Sequence, residues 1–512
     1  MKSKVLGMLS LVAWPMVLGS CQVPIYPDQT KKEEVHIFPV DSDSLFYPYP
    51  EEKHSYWNLD KANKKLEVHL KAMDTQFHER KRKEVVVFVH GGMNTEVVGL
   101  NNAVIKLRQM SKDRPDVFPV FVTWDSGLLS SHARHMLGDE NGVAYYSSSF
   151  ARPRAIVNSM INFPTDILVG LAEGPRSSFR NGGKVLQGMD RLYDYKPDLF
   201  PTRRAYETVL EEQFGVTQKE NRFTGFYKQS GKSVPWSVNL GSDDGPRWDK
   251  GTAGFVYFPL ATGVSMAYQG MGRPAWENMV RRSATLVQMY PTMINYPNGY
   301  GKSAGVMARV LEQIAMWQQK DPDLKVTLIG HSMGTMVLNE GFRAMEDSGE
   351  PQKRLIPHIK VNRIIYMAAA CSIKDFSNTA GRYLLKNPST ECYNLCLHPK
   401  RELNEEEPWP ALRLAHSGSL LTWIDQMFES PREFEDRTMG SFENCIIAYQ
   451  SMPATPRFHL KGFSDHADWS GKPSSGIYGP QKHGDFSSYN YWTDAFLQPA
   501  KPEEQRYYPV SN

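Results

Sequence analysis

Val326-Thr-Leu-Ile-Gly-His-Ser-Met-Gly334 is an apolar run that reaches a glycine, places Ser332 two residues on and meets a second glycine at 334. The run reads as a buried strand. The two glycines mark a sharp turn in which strand and helix backbones approach too closely for side chains. Met336, Val337, Phe342 and Met345 follow at roughly helical spacing, so strand, turn and helix come in that order with Ser332 at the apex. Gly301-Lys-Ser-Ala-Gly305 repeats the spacing of glycine and serine in other surroundings. Tyr296-Pro-Asn-Gly-Tyr300 before it is turn chemistry, which puts Ser303 at a helix start. Gly301-Lys-Ser303 does not make a phosphate loop either, because Tyr296 stands where that loop needs a glycine.

Working outward, Glu84–Val89 and Val117–Trp124 are two further apolar runs, with a helical pattern over Val97–Met110 between them. A strand-helix-strand series of this kind implies a parallel sheet covered on both faces. Val306, Val310, Leu311, Ile314 and Trp317 mark a helix face ahead of the Ser332 strand. Val361–Ala368, Glu391–Leu397 and Asn444–Tyr449 read as later strands, Leu420–Met427 as a helix before the last of them, and Leu66–Lys71 as an early strand. Between Asp125 and Tyr290 the periodicity weakens, as expected of an insertion over the sheet. The expected fold class is α/β, a mostly parallel central sheet flanked by helices with a large helical or irregular insertion. The chain divides into a leader at 1–20, a tether with early strands at 21–80, the first part of the core at 81–125, the insertion at 126–290, the second part of the core at 291–500 and a tail at 501–512.

The 512 residues are 41% hydrophobic and nearly balanced in charge, with 59 basic and 56 acidic side chains. No long basic run carries interleaved aromatics, which argues against a nucleic-acid partner. Lys2 and Lys4, the apolar stretch Val5–Leu18 and the small residues before Cys21 have the form of an export signal. Leu18-Gly-Ser-Cys21 resembles the lipobox of bacterial lipoproteins, which implies acylation of Cys21 and anchorage in the cell envelope; Gln22 after it favours the outer membrane. No later stretch reads as a membrane span, since Ala155–Leu171 is broken by Asn158, Asn162, Pro164 and Asp166. Cys371, Cys392, Cys396 and Cys445 lie in or beside apolar runs and are expected as buried thiols, with one long-range disulfide as the alternative. Neither metal nor cofactor is called for by any Cys/His spacing.

A serine hydroxyl is a weak nucleophile until a base takes its proton, and the base works best when an acid holds its tautomer. Gly330-His-Ser-Met-Gly334, Val89-His-Gly-Gly92 and His483-Gly-Asp-Phe486 together resemble the α/β-hydrolase superfamily, over about residues 84–125 and 300–500. That resemblance implies a nucleophile, acid, histidine order along the chain. It makes Ser332 the nucleophile and places the oxyanion hole at the amides of Gly92 and Met333, with Met93 as an alternate to Gly92. Three histidines, His459, His466 and His483, follow the last strand. His483 fits the closing loop, and His466 is its rival. Glu402, in the loop after Glu391–Leu397, takes the acid position, with Asp375 as its rival; Glu405, Glu406 and Glu407 read as a solvated charge run.

The expected function is hydrolysis of carboxylic esters of lipid or acyl type, by a membrane-anchored serine hydrolase forming an acyl-enzyme. Acyl transfer, or thioester or amide cleavage, by the same residues is the nearest alternative, and a non-catalytic envelope lipoprotein the more distant one. Ile156, Val157, Met160, Ile161, Phe163, Ile167, Leu168 and Leu171 form an apolar stripe suited either to packing on the core or to capping the site or meeting a bilayer. Protein partners are not readable from the sequence.

Overall fold

A computed structural model describes residues 25, 27–28, 32–41, 44–47, 59–79, 82–127, 130–132, 135, 164–171, 266, 270, 272–289, 303–346, 356–397, 402, 405, 418–429, 436–442, 444–445, 458–463, 480 and 482–497. Seven strands form one sheet: β1 (Ile37–Val40), β2 (Glu84–Val89), β3 (Val117–Trp124), β6 (Lys325–His331), β7 (Arg363–Met367), β8 (Glu391–Leu397) and β9 (Phe458–Phe463). Between β3 and β6 the chain makes a separate antiparallel pair, β4 (Gln288–Met289) and β5 (Ser303–Ala304). The large sheet has the order β1-β3-β2-β6-β7-β8-β9, and every pairing in it is parallel. Its central strands are buried on both faces, which is why they read as continuous apolar runs.

Five longer helices cover the sheet: α1 (Leu59–Glu79), α2 (Glu96–Asp113), α3 (Arg273–Thr285), α4 (Val306–Lys320) and α5 (Gly334–Glu346). On one face Phe77 of α1 stacks on Trp317 of α4 with ring centroids 3.9 Å apart, and both rings meet Phe118 of β3 edge-on. On the other face Phe88 of β2 meets Phe121 of β3 and stacks on Tyr491, while Lys106 of α2 lies over Trp492. The strand order also sets where a site forms. From β2 the chain passes through α2 to β3 on one side, and the next strand of the sheet, β6, lies on the other side of β2. Connections that diverge in this way open a crevice at the C-terminal ends of the two strands, here at Val89 and His331.

Two expected strands have other structures. Leu66–Lys71 lies inside α1, because Ala62, Leu66, Leu70, Met73 and Phe77 make a helical stripe of buried residues over 21 positions while Val68 is 68% exposed. Asn444 and Cys445 are helical, and the strand beside β8 is Phe458–Phe463. Local bonds draw the 444–445 turn away from the sheet: Asn444 Nδ2 donates to Asp425 Oδ2 at 2.8 Å, and the Cys445 amide to Ser441 O at 2.9 Å. Ser303 sits in the short strand β5, just before Gly305 caps α4. Cys371, Cys392, Cys396 and Cys445 are buried free thiols. Of the insertion's apolar stripe, Ile167, Leu168 and Leu171 are exposed rather than packed on the core, and residues 156–163 lie outside the described residues. Among the described residues no helix is long and apolar enough to cross a membrane.

Candidate active site

The crevice between β2 and β6 is lined by two tight turns. In the first, Ser332 joins β6 to α5 with φ 51°, the left-handed region that costs a residue with a Cβ on the order of 1–3 kcal/mol. The surrounding backbone holds it there. The Ser332 amide donates to Met367 O at 2.8 Å, and its carbonyl accepts from the Thr335 hydroxyl at 2.6 Å and the Ala370 amide at 3.2 Å. The glycines follow from the crossing of strand and helix: a Cβ at 334 would overlap the Val89 carbonyl, and one at 330 would stand 2.9 Å from the Thr335 nitrogen.

The second turn is His90-Gly-Gly-Met93, which comes so close to the first that a Cβ on Gly91 would lie 2.7 Å from the Ser332 Cβ. His90 organises it. Its Nε2 accepts the Trp124 amide at 2.9 Å, so the proton is on Nδ1, which donates to Gly91 O at 2.7 Å. Burial holds this ring down to about 4, and it is neutral. Ser126 Oγ and Asn94 Nδ2 also donate to Gly91 O, each at 3.1 Å. In a planar trans peptide the N–H points opposite to the C=O. Three donors on the Gly91 carbonyl therefore turn the Gly92 amide the other way, where it has no acceptor among the described residues. The Met333 amide, at the start of α5, has none there either. The Met93 amide is committed, donating to Ser126 O at 2.8 Å, so of the two expected donors in this turn Gly92 is the uncommitted one.

His483 opens a short 3-10 segment, His483–Ser488, that follows β9. Its Nε2 lies 2.9 Å from Ser332 Oγ. Its backbone is gripped at both ends: the amide donates to Glu405 Oε2 at 2.9 Å, and the carbonyl accepts from His331 Nε2 at 3.0 Å. A carbonyl can only accept, so His331 carries its proton on Nε2; burial holds that ring neutral, down to about 4. Burial, and after it the His331 ring, push His483 down to about 3. Its Nδ1 is buried and has no partner among the described residues, so nothing offsets the desolvation there.

The acids of the sequence reading have different partners. Glu402 is buried and its Oε1 accepts from Ser419 Oγ at 3.0 Å, while its carbonyl accepts the Ser419 amide. Asp375 accepts from Asn339 and Arg343 of α5, each at 2.6 Å. Glu405 is the carboxylate that reaches His483. His459 is in β9, stacked on Tyr393. His466 and Cys21 lie outside the described residues. Sequence reasoning passed over Glu405, His331, Ser126 and Asn94. Three consecutive glutamates resemble a solvated face, and the other three act through backbone contacts that leave no pattern along the chain.

A polar cleft at the opposite, N-terminal edge of the strands is lined by Glu84, Arg114, Lys325, Thr327, Arg363 and Asp494. Arg114 pairs with Glu84 at 3.0 Å and Arg363 with Asp494 at 3.0 Å, so its charges compensate one another, and the cleft is remote from Ser332. Among the described residues no group of His, Cys, Asp and Glu could hold a metal ion. Comparison of the chain with protein-family models, curated proteins and solved structures finds no match in any of the three.

Proposed function

We propose that the protein is a serine hydrolase of the α/β-hydrolase kind that cleaves carboxylic esters through an acyl-enzyme on Ser332. The observation that carries this reading is the 2.9 Å contact from His483 Nε2 to the hydroxyl of a serine held in the left-handed region. The strand order supports it, with the nucleophile after β6, an acidic loop after β8 and the histidine after β9. Ser332 Oγ attacks the ester carbonyl carbon as its proton passes to His483 Nε2. The oxygen that gains charge faces the amides of Gly92 and Met333, and one such donor is worth about 3–4 kcal/mol. Collapse breaks the bond to the alcohol, which leaves with the proton from His483. Water then attacks the acyl carbon, giving its proton to His483, and Ser332 recovers its own as the acid departs.

Glu405 is the proposed orienting acid. Its carboxylate lies on the His483 amide, and the proposal has it turn from there to Nδ1 of the same residue, which is buried and without a partner among the described residues. There it would hold the Nδ1–H tautomer and raise the imidazole from its depressed value toward working pH. Glu402, three residues earlier, anchors the loop through Ser419.

Acyl transfer, or thioester or amide cleavage, would use the same groups. Acylation of Cys21 and placement at the outer membrane belong to the same proposal; incorporation of labelled fatty acid that is lost in Cys21→Ser tests the acylation, and the density at which the protein bands with separated envelope membranes tests the placement. A fluorophosphonate tests the serine. It is expected to label the wild type at the peptide carrying Ser332 and to leave Ser332→Ala unlabelled. Labelling that survives the substitution sinks the assignment of Ser332, and an unlabelled wild type favours a non-catalytic lipoprotein.

A further inference from the structure

The chain enters the fold by running along α2 in a fixed direction. Ile25 packs on the core, and its amide donates to Asn101 Oδ1 at 2.6 Å. Glu33 then receives Arg108 in a two-pronged pair, Nε to Oε1 at 3.0 Å and Nη2 to Oε2 at 2.8 Å. The turn between them is closed by the Asp28 amide on Glu33 Oε2 at 2.7 Å and the Glu33 amide on Asp28 O at 3.1 Å. Asn101 and Arg108 are two helical turns apart on α2, about 10 Å. Because α2 leaves β2 at the C-terminal edge of the sheet, Asn101 is nearer that edge and Arg108 nearer the opposite one, from which β1 sets out at Ile37. Ile25 therefore lies toward the edge that carries Ser332.

Four residues lead from Cys21 to Ile25, a reach of at most about 14 Å. We propose that the acylated N-terminus holds this protein with the Ser332 edge of its sheet turned toward the bilayer, so that its ester substrates are drawn from the membrane surface. This deepens the proposed hydrolase reading and rests on acylation of Cys21. A second, independent feature lies at the same edge. Of the eight large hydrophobic side chains exposed among the described residues, Val68, Ile105, Met316 and Leu385 are scattered over separate helices. The other four are Met93, in the turn after β2, and Ile167, Leu168 and Leu171. Asp166, beside those three, is tied at 3.2 Å to His135, eleven residues beyond β3; the Ser131 carbonyl on the way accepts from Asn278 of α3 at 3.0 Å, and Arg282 of α3 lies over the Trp124 ring at the C-terminal end of β3. Exposed apolar groups gathered on one rim suit an interfacial surface.

The orientation is measured on the acylated full chain bound to phosphatidylethanolamine–phosphatidylglycerol vesicles that carry a headgroup nitroxide. One fluorophore is placed at Leu168→Cys, and in a second protein at Lys112→Cys, an exposed position at the far end of α2. Quenching is expected to be several-fold stronger at 168 than at 112. Equal or reversed quenching on protein that floats with the vesicles overturns the orientation and leaves the Cys21 assignment standing. Protein that carries no fatty acid and does not float overturns the anchor, and the orientation with it; fluorophosphonate labelling of Ser332 reports separately that the hydrolase reading survives. A flexible Gly/Ser insert of about 30 residues between Cys21 and Ile25 lowers the effective concentration of the site at the surface. It is expected to cut hydrolysis of a vesicle-borne ester at least threefold and to leave a soluble short-chain ester unaffected; undiminished vesicle hydrolysis counts against the proposal.

Discussion

At the scale of single residues, the site depends on one imidazole gripped through its main chain. His331 donates to the His483 carbonyl and Glu405 accepts from its amide, so both side chains position the ring through its main chain rather than through the serine hydroxyl. Glu405→Gln is expected to lower kcat by about 10^2–10^4, since the amide cannot stabilise an imidazolium, while Glu402→Gln loosens the loop and costs about tenfold or less. Steady-state kinetics on a soluble ester rank the two, and the reverse ranking returns the acid role to Glu402. His331→Ala removes a buried hydrogen bond and should cost about tenfold in kcat/KM, whereas His331→Gln, which keeps a donor, should recover most of it. Failure of glutamine to rescue would mean that His331 matters for packing alone.

At the scale of elements, the glycines report how closely strand and helix cross. Gly334→Ala drives a methyl group into the Val89 carbonyl and is expected to cost about 3 kcal/mol or more in urea unfolding, whereas Gly484→Ala, beside His483 but with open space around it, should leave the midpoint unchanged. The parallel α/β sheet was legible because doubly covered strands must be apolar throughout: Glu84–Val89, Val117–Trp124 and Lys325–His331 announce themselves. The proximity of Ser332 and His483 was legible too, from a motif in strand-to-helix context and a histidine in the closing loop. What local bonding or long-range packing decides was not. The Leu66–Lys71 alternation also fits one face of a longer helix, and Phe458–Phe463 carries His459 and Lys461, too polar to outbid Asn444–Tyr449 as the last strand. Glu405 is functional in this reading only because folding lays it on His483.

At the scale of the molecule, the rings around the crevice make it sensitive to acid. His90 and His331, down to about 4, and His483, down to about 3, are neutral when buried. Unfolded imidazoles titrate near pH ~6.5, so as pH falls the unfolded chain takes up these protons first. The stability they contribute is complete above about pH 7 and is lost between about pH 6.5 and 4, at up to ~1.4 kcal/mol per pH unit for each ring. Urea midpoints at pH 7.5 and 5 should differ accordingly, and equal midpoints would show that the rings are solvated. The contact between Gly334 and the Val89 carbonyl bears on assembly as well. The two walls of the crevice come from strands about 240 residues apart, and neither is complete alone, because the turn at Gly91 and the turn at Ser332 meet only once β2 and β6 have paired. Pairing at that separation is slow compared with local structure. Refolding protein should therefore regain helical circular dichroism before it regains reactivity toward a fluorophosphonate, so that Ser332 labels only chains whose sheet is already closed at its centre.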